Sequence, residues 1–203
     1  MARDRDPFSL ALQTLRRLAG EGVFAPDRPI VILDEARRLK LSTTPIREAL
    51  AWLGGEGMIE RAPNGGYMGL RQDVASVASR YRLRHQLLSA AIADDDRPLA
   101  GWTPDATVSL QDMFSTLVRL RGDDVLWRAY DRVARQLAWL AAAEAAVIPG
   151  FDRDVQRLLR AIGDRSGLLD TLDQLHKKLA IGAAAILIAA RRPADDANRD
   201  GSS

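Results

Sequence analysis

The sequence predicts a mainly α-helical protein in two parts, a small α+β unit at the N-terminus followed by an all-α helical bundle. Three observations predict it. Apolar residues recur at helical spacing from Phe8 to Ala19, and again in long stretches beyond Asp73. An Asn64-Gly65 pair stands between two short extended runs, Met58–Arg61 and Tyr67–Leu70, which is a hairpin signal. After Arg71 the pattern is helical throughout.

The first helix carries Phe8, Ala11, Leu12, Leu15, Leu18 and Ala19 on one stripe, with Arg16 and Arg17 outside it. Gly20, Gly22, Pro26 and Pro29 break it into a loop. Ile30–Leu33 is short and β-branched, and Asp34 is placed to cap a brief helix through Lys40. Ser42 is placed to cap a second helix that tolerates Pro45 in its first turn. In that helix Ile46, Leu50 and Leu53 share one face, while Thr44, Arg47 and Ala51 share the other. Gly54, Gly55 and Gly57 end it ahead of the hairpin.

Five helices are expected beyond residue 72: Asp73–Asp94, one capped by Thr103 from Pro104 to about Arg121, Asp123 to Pro149, Phe151–Gly163 and Leu168–Ala190. The resulting division is 1–72, 73–192 and a polar tail, 193–203, expected to be disordered. The apolar run Leu179–Ala190 is too short for a membrane span, which needs roughly 20 residues. Met1–Pro7 alternates charges and lacks the apolar core of a secretion signal. With no cysteine, disulfides and thiolate-held metals are excluded, and the cytoplasm is the expected compartment.

Net charge is only +2, and the surplus lies in residues 1–72, with 11 Lys+Arg against 9 Asp+Glu. A nucleic-acid surface must therefore come from placement of charge, not its bulk. An enzyme is not expected: two scattered histidines, no cysteine, no glycine-rich phosphate loop and no nucleophile elbow leave little to build chemistry from.

Two short helices joined by a tight turn and followed by a hairpin make a winged helix-turn-helix, although other small α+β modules share the pattern. Residues 33–68 resemble the DNA reader of the GntR family of bacterial regulators. The resemblance rests on Asp34-Glu35-Ala36, on Ser42-Thr43-Thr44-Pro45-Ile46-Arg47-Glu48-Ala49-Leu50, on Glu56-Gly57-Met58-Ile59 and on Asn64-Gly65-Gly66. The preceding Gly22-Val23-Phe24-Ala25-Pro26 is similar to that family's Gly-x-Leu-x-Pro turn. The resemblance implies a transcriptional regulator, by default a repressor. It would bind double-stranded DNA as a homodimer on a near-palindromic operator.

Ser42, Thr43, Thr44, Arg47, Arg61, Asn64, Gly65 and Gly66 are then the candidate DNA contacts. A helix N-terminus at Ser42 suits a phosphate, and Arg is the side chain best matched to the O6/N7 edge of guanine. Arg47 has an alternative, a salt bridge to Asp34 or Glu35. Arg61 is equally well read as a solvated cation, and Gly65-Gly66 as a tight turn. The family commonly has Arg where Thr43 stands, which implies a less guanine-directed half-site here. Two other readings stay open: a winged-helix protein-docking module, and a constitutive DNA-binding factor without effector.

The remainder resembles the all-helical effector domain of the FCD branch of that family, through Tyr81-Arg82-Leu83-Arg84 and Arg160-Ala161-Ile162-Gly163-Asp164. That domain usually holds a divalent metal with one Asp and three His. Asp131 matches the Asp, but Arg135 stands at the first His, Val155 or Gln156 falls at the second, and only His176 matches the third. One Asp and one His do not make a transition-metal site, so no metal or other cofactor is expected. Arg84, Tyr130, Asp131, Arg135 and His176 are candidates to line a small-molecule effector pocket, or else are ordinary interhelical polar contacts. His85, the other histidine, is expected at a helix surface or interface.

Overall fold

The computed structural model describes residues 6–26, 28–70, 73–93 and 108–199. They divide into two compact units, Met1–Gln72 and Asp73–Ser203. Each has its own buried apolar core.

The first unit is built from α1 (Pro7–Gly20), α2 (Ile32–Leu39), α3 (Thr43–Gly55), β1 (Ile59–Arg61) and β2 (Tyr67–Gly69). Asp6 starts α1 by accepting the Ser9 N–H, with Pro7 in the first helical position, where a missing N–H costs nothing. Ala11, Leu15 and Leu18 are buried against Ile46, Ala49, Leu50 and Leu53 of α3. Helices α2 and α3 meet at a tight turn. There Lys40 takes a left-handed conformation (φ 54°), its N–H bonded to the Arg37 carbonyl while the Leu41 N–H reaches Ala36. This is a Schellman cap with Lys where glycine would be least strained.

β1 and β2 pair antiparallel with Ile59 opposite Gly69, Glu60 opposite Met68 and Arg61 opposite Tyr67. The short, β-branched run Ile30–Leu33 is not a strand. Only Pro29 and Ile30 pair with the sheet, through a bridge to Met68 and an Ile30 N–H to Tyr67 carbonyl bond of 2.7 Å. Ile32 and Leu33 already belong to α2, whose N-cap is Val31. Asp34 is therefore not a cap; with Glu35 it sits in the first turn, where carboxylates complement the helix dipole.

The second unit holds α4 (Val74–Ala93), α5 (Leu110–Leu120), α6 (Asp124–Leu137), a 3₁₀ turn at Ala138–Leu140, α7 (Ala141–Val147), α8 (Phe151–Ala161), α9 (Arg165–Ile181) and α10 (Ala183–Arg199). Five helices were expected; the described residues contain seven, because two long apolar runs are interrupted. One breaks at the 3₁₀ turn. The other breaks at Gly182, where a Cβ would stand 2.5 Å from Ile148 Cδ1. A residue from a distant stretch thus occupies the space a helical side chain would need.

Residues 193–199, expected as part of a disordered tail, belong to α10, which continues to Arg199; their Ala residues are strong helix formers that offset the polar ones. The proposed Thr103 cap and Pro104 start lie outside the described residues. Within them, α5 begins only at Leu110, because Ser109 Oγ caps the Asp112 N–H at 3.1 Å. Asp123 opens α6 as expected, accepting from Val125 and Leu126 at 2.8 and 2.9 Å. Among the described residues no helix is long and apolar enough to cross a membrane.

Candidate nucleic-acid interface and a buried polar cluster

The period of α3 sorts its side chains cleanly. Ile46, Leu50 and Leu53 are fully buried, while Ser42, Thr44, Arg47, Glu48 and Ala51 are exposed and Thr43 is half-buried. Ser42 occupies the N-cap position, yet its hydroxyl makes no capping bond. The first N–H groups of α3 and the Ser42 hydroxyl thus remain available at the positive end of the helix dipole. Arg47 has no ion-pair or hydrogen-bond partner among the described residues. The two carboxylates that could have claimed it are taken: Asp34 pairs with Arg37 at 3.3 Å and Glu35 pairs with Arg38.

The wing is a loop over Ala62–Gly66, closed by a Gly65 N–H to Ala62 carbonyl bond of 3.0 Å and an Ala62 N–H to Gly66 carbonyl bond of 3.2 Å. Gly65 and Gly66 carry the positive φ values, 89° and 82°, while Asn64 does not. The loop is therefore longer than the two-residue Asn-Gly turn of a minimal hairpin. Asn64, Gly65 and Gly66 are all exposed at its tip. Arg61, exposed at the wing base, lies over the Tyr67 ring with its guanidinium carbon 5.8 Å from the centroid. Stacking there directs the charge without consuming its hydrogen-bond donors.

The wing is held by close backbone approach. At Gly69 a Cβ would sit 2.0 Å from the Phe24 carbonyl oxygen, and the Gly69 N–H bonds to Ala25 at 3.1 Å. Behind α3, Trp52 is 56% exposed, meets Phe8 edge-on and donates its indole N–H to Glu56 at 2.9 Å. The same Glu56 carboxylate takes a two-pronged hydrogen bond from Arg16, at 2.7 and 3.2 Å, tying α3 to α1. Sequence reasoning did not find this contact, because Arg16 and Glu56 lie 40 residues apart.

In the second unit the five effector candidates fall into two groups. Asp131 and Arg135 pair with each other one turn apart on α6, at 2.7 Å. Arg84, His176 and Tyr130 belong to a buried cluster with Tyr81, Glu144 and Phe114, none of which the sequence reading had included with them. Arg84 is only 2% exposed, with its guanidinium 5.3 Å from the ring centroids of both Tyr81 and Phe114.

Arg84 Nε donates to His176 Nε2 at 3.1 Å, and His176 Nδ1 lies 2.8 Å from the Leu172 carbonyl. A carbonyl can only accept and an arginine Nε can only donate, so the imidazole is neutral with its proton on Nδ1. Burial, reinforced by the Arg84 charge, holds His176 well below its ordinary pKa. Tyr81 donates to the buried Glu144 at 2.7 Å; burial and the Glu144 charge push its hydroxyl above the ordinary tyrosine value. His85 is half-buried, its ring 5.4 Å from that of His176 and its Nε2 3.2 Å from Ser89 Oγ.

The metal implied by the resemblance does not fit these residues. Both nitrogens of His176 are engaged, and Asp131 is held by Arg135. Among the described residues no group of three or more His, Cys, Asp or Glu could hold a metal ion.

The architecture is that of a winged helix-turn-helix unit followed by an all-helical unit. The same succession occurs in solved structures that this chain is similar to. E. coli McbR/YncC matches with a TM-score of 0.65 and 16% identity, over 92% of this chain and 98% of that one. A second is Lar, which controls the expression of the Listeria monocytogenes agr system and mediates virulence. It matches with a TM-score of 0.51 and 14% identity, over 90% of this chain and 98% of its own. At these identities the likeness establishes a shared fold. No family model and no curated protein sequence matches the chain.

Proposed function

We propose that this chain is a transcriptional regulator of the GntR type, not an enzyme, whose first unit reads double-stranded DNA with α3 and the wing. Arg47 carries the reading: it is an exposed arginine on the outer face of the second helix of a helix-turn-helix, and no carboxylate among the described residues pairs with it. Around it, the open N-terminus of α3 with Ser42 suits a backbone phosphate, and Thr43 and Thr44 suit base edges or sugar. The glycines of the wing tip permit close approach to a groove, and Arg61 suits a phosphate at the wing base.

The chain acts as a homodimer, since two copies of α3 about one helical turn of DNA apart read a near-palindromic operator. Repression is the default mode, because occupying a promoter requires only binding. The helical unit supplies dimerisation and an effector site centred on Arg84, Tyr130 and His176.

A salt-dependent binding titration on the DNA upstream of its own gene tests the proposal, wild type against Arg47→Ala. Protection of a palindromic site by wild type and a loss of about 1–3 kcal/mol in the variant support it. If no specific site emerges there or in a genome-wide binding selection, the winged helix is a protein-docking module instead.

A further inference from the structure

The first unit carries an exposed aromatic side chain that its own fold holds in place but does not cover. Trp52 is 56% exposed on α3, yet its ring is held by two contacts. Phe8 meets it edge-on, with ring centroids 6.2 Å apart, and Glu56 accepts its indole N–H at 2.9 Å. Beside it a shallow pocket of about 780 Å³ opens between α1 and α3, lined by Phe8, Glu48, Ala51, Trp52, Gly55 and Glu56. Gly55 puts no side chain into it, and a Cβ there would meet nothing within 4 Å. The DNA contacts proposed for the first unit use none of these residues.

The lining holds two carboxylates and no cation. Glu56 is met by Arg16, which donates to it at 2.7 and 3.2 Å, and by Trp52. Glu48 is exposed and has no ion-pair or hydrogen-bond partner among the described residues. The pocket therefore sets an unpaired negative charge beside an ordered indole. An anion is repelled there. A neutral apolar group would cover the rings but strip water from Glu48 without replacing it. An organic cation meets every part of the lining, because its charge pairs with Glu48 and its face lies on indole, the ring that attracts cations most strongly. Guanidinium suits this better than ammonium: it is planar, more weakly hydrated, and offers two parallel donors to one carboxylate. Sites for free small molecules enclose most of the ligand. This pocket is too open for that, so its cation arrives on a larger body with contacts of its own around the rim.

We propose that this pocket is a docking site for an arginine side chain presented by a segment of a partner protein. The guanidinium lies on Trp52 and donates to Glu48, and the methylene stem rests on Phe8 and Ala51. The proposal goes beyond the DNA-binding reading and does not depend on it.

The experiment titrates full-length, ¹⁵N-labelled protein at constant ionic strength with the tripeptide alanyl-arginyl-alanine, blocked at both ends. It follows the Trp52 indole N–H resonance, identified among those of the four tryptophans by its loss in Trp52→Phe. Expected is a saturable shift of that resonance alone. The citrulline peptide, which keeps the shape and loses the charge, should bind about tenfold more weakly, having lost both the ion pair and the cation–π contact. Glu48→Gln should weaken the arginine peptide about threefold, the effect of one exposed ion pair. Gly55→Leu, at a helical position with open space around it, should abolish binding by filling the pocket without changing its charge. The proposal is overturned if the arginine peptide leaves Trp52 unmoved, if all four indole resonances move together, or if the citrulline peptide binds as well. It is equally overturned if either Glu48→Gln or Gly55→Leu binds like wild type. Tighter binding of tetramethylammonium than of the peptide would also overturn it, making the pocket a site for a free amine.

Discussion

Replacing Gly69 by alanine adds one methyl group where the backbone of another segment already lies. The new Cβ would stand 2.0 Å from the Phe24 carbonyl oxygen, 2.7 Å from the Phe24 carbonyl carbon and 2.8 Å from that of Ala25. Carbon contacts relax near 3.5–4.0 Å, so the 24–25 segment must retreat by more than about 1 Å. That retreat is incompatible with the Gly69 N–H to Ala25 carbonyl bond, whose loss costs about 1 kcal/mol. Overpacking adds about 1–3 kcal/mol. The expected loss for Gly69→Ala is therefore about 2–4 kcal/mol.

The same substitution at Gly55 has the opposite sign. That residue is helical and a Cβ there meets nothing within 4 Å, so Gly55→Ala gains up to about 1 kcal/mol. Native-state hydrogen exchange on amides of α3 and the two strands measures both effects within the first unit. A Gly69→Ala loss under about 0.5 kcal/mol, or equal losses at both positions, would refute the reasoning.

Lys40→Gly relieves the one left-handed non-glycine residue among the described residues of the first unit, and a gain of about 1 kcal/mol should appear as a raised urea midpoint at unchanged slope. Tyr81→Phe strips the buried Glu144 carboxylate of its donor and should cost about 1.5–3 kcal/mol in urea unfolding. His176, held neutral in the folded state, titrates near 6.5 once unfolded. Below that pH the unfolded chain binds a proton that the folded one refuses, and stability falls by up to about 1.4 kcal/mol per pH unit. Unfolding at pH 7.5 and 5.5 should show this slope in wild type and its loss in His176→Gln; an identical slope in both would remove His176 as the cause.

The first unit was legible because its signals are local. The face of α3, its glycine stop and the hairpin all arise within a few residues, and the buried and exposed sets on α3 follow the helical period. What escaped the sequence depends on residues far apart. Gly182 reads as one more small residue in an apolar run until Ile148 is packed against it. Arg84 and His176, 92 residues apart, read as separate candidates, not as a hydrogen-bonded pair. Glu144 did leave a signal: a lone carboxylate in an Ala-rich run, Ala141–Val147, is out of place unless something inside meets it. Tyr81 does so, and that partnership was invisible without the fold.

The shared grip of Glu56 on Arg16 and Trp52 has a genetic corollary. Under the proposed mode, the pitch at which α3 enters a groove is set from its rear, by a helix that never meets the DNA. Alleles that shift operator preference should therefore be recoverable at Phe8 and Arg16, and compensating alleles there should rescue defects made at Trp52.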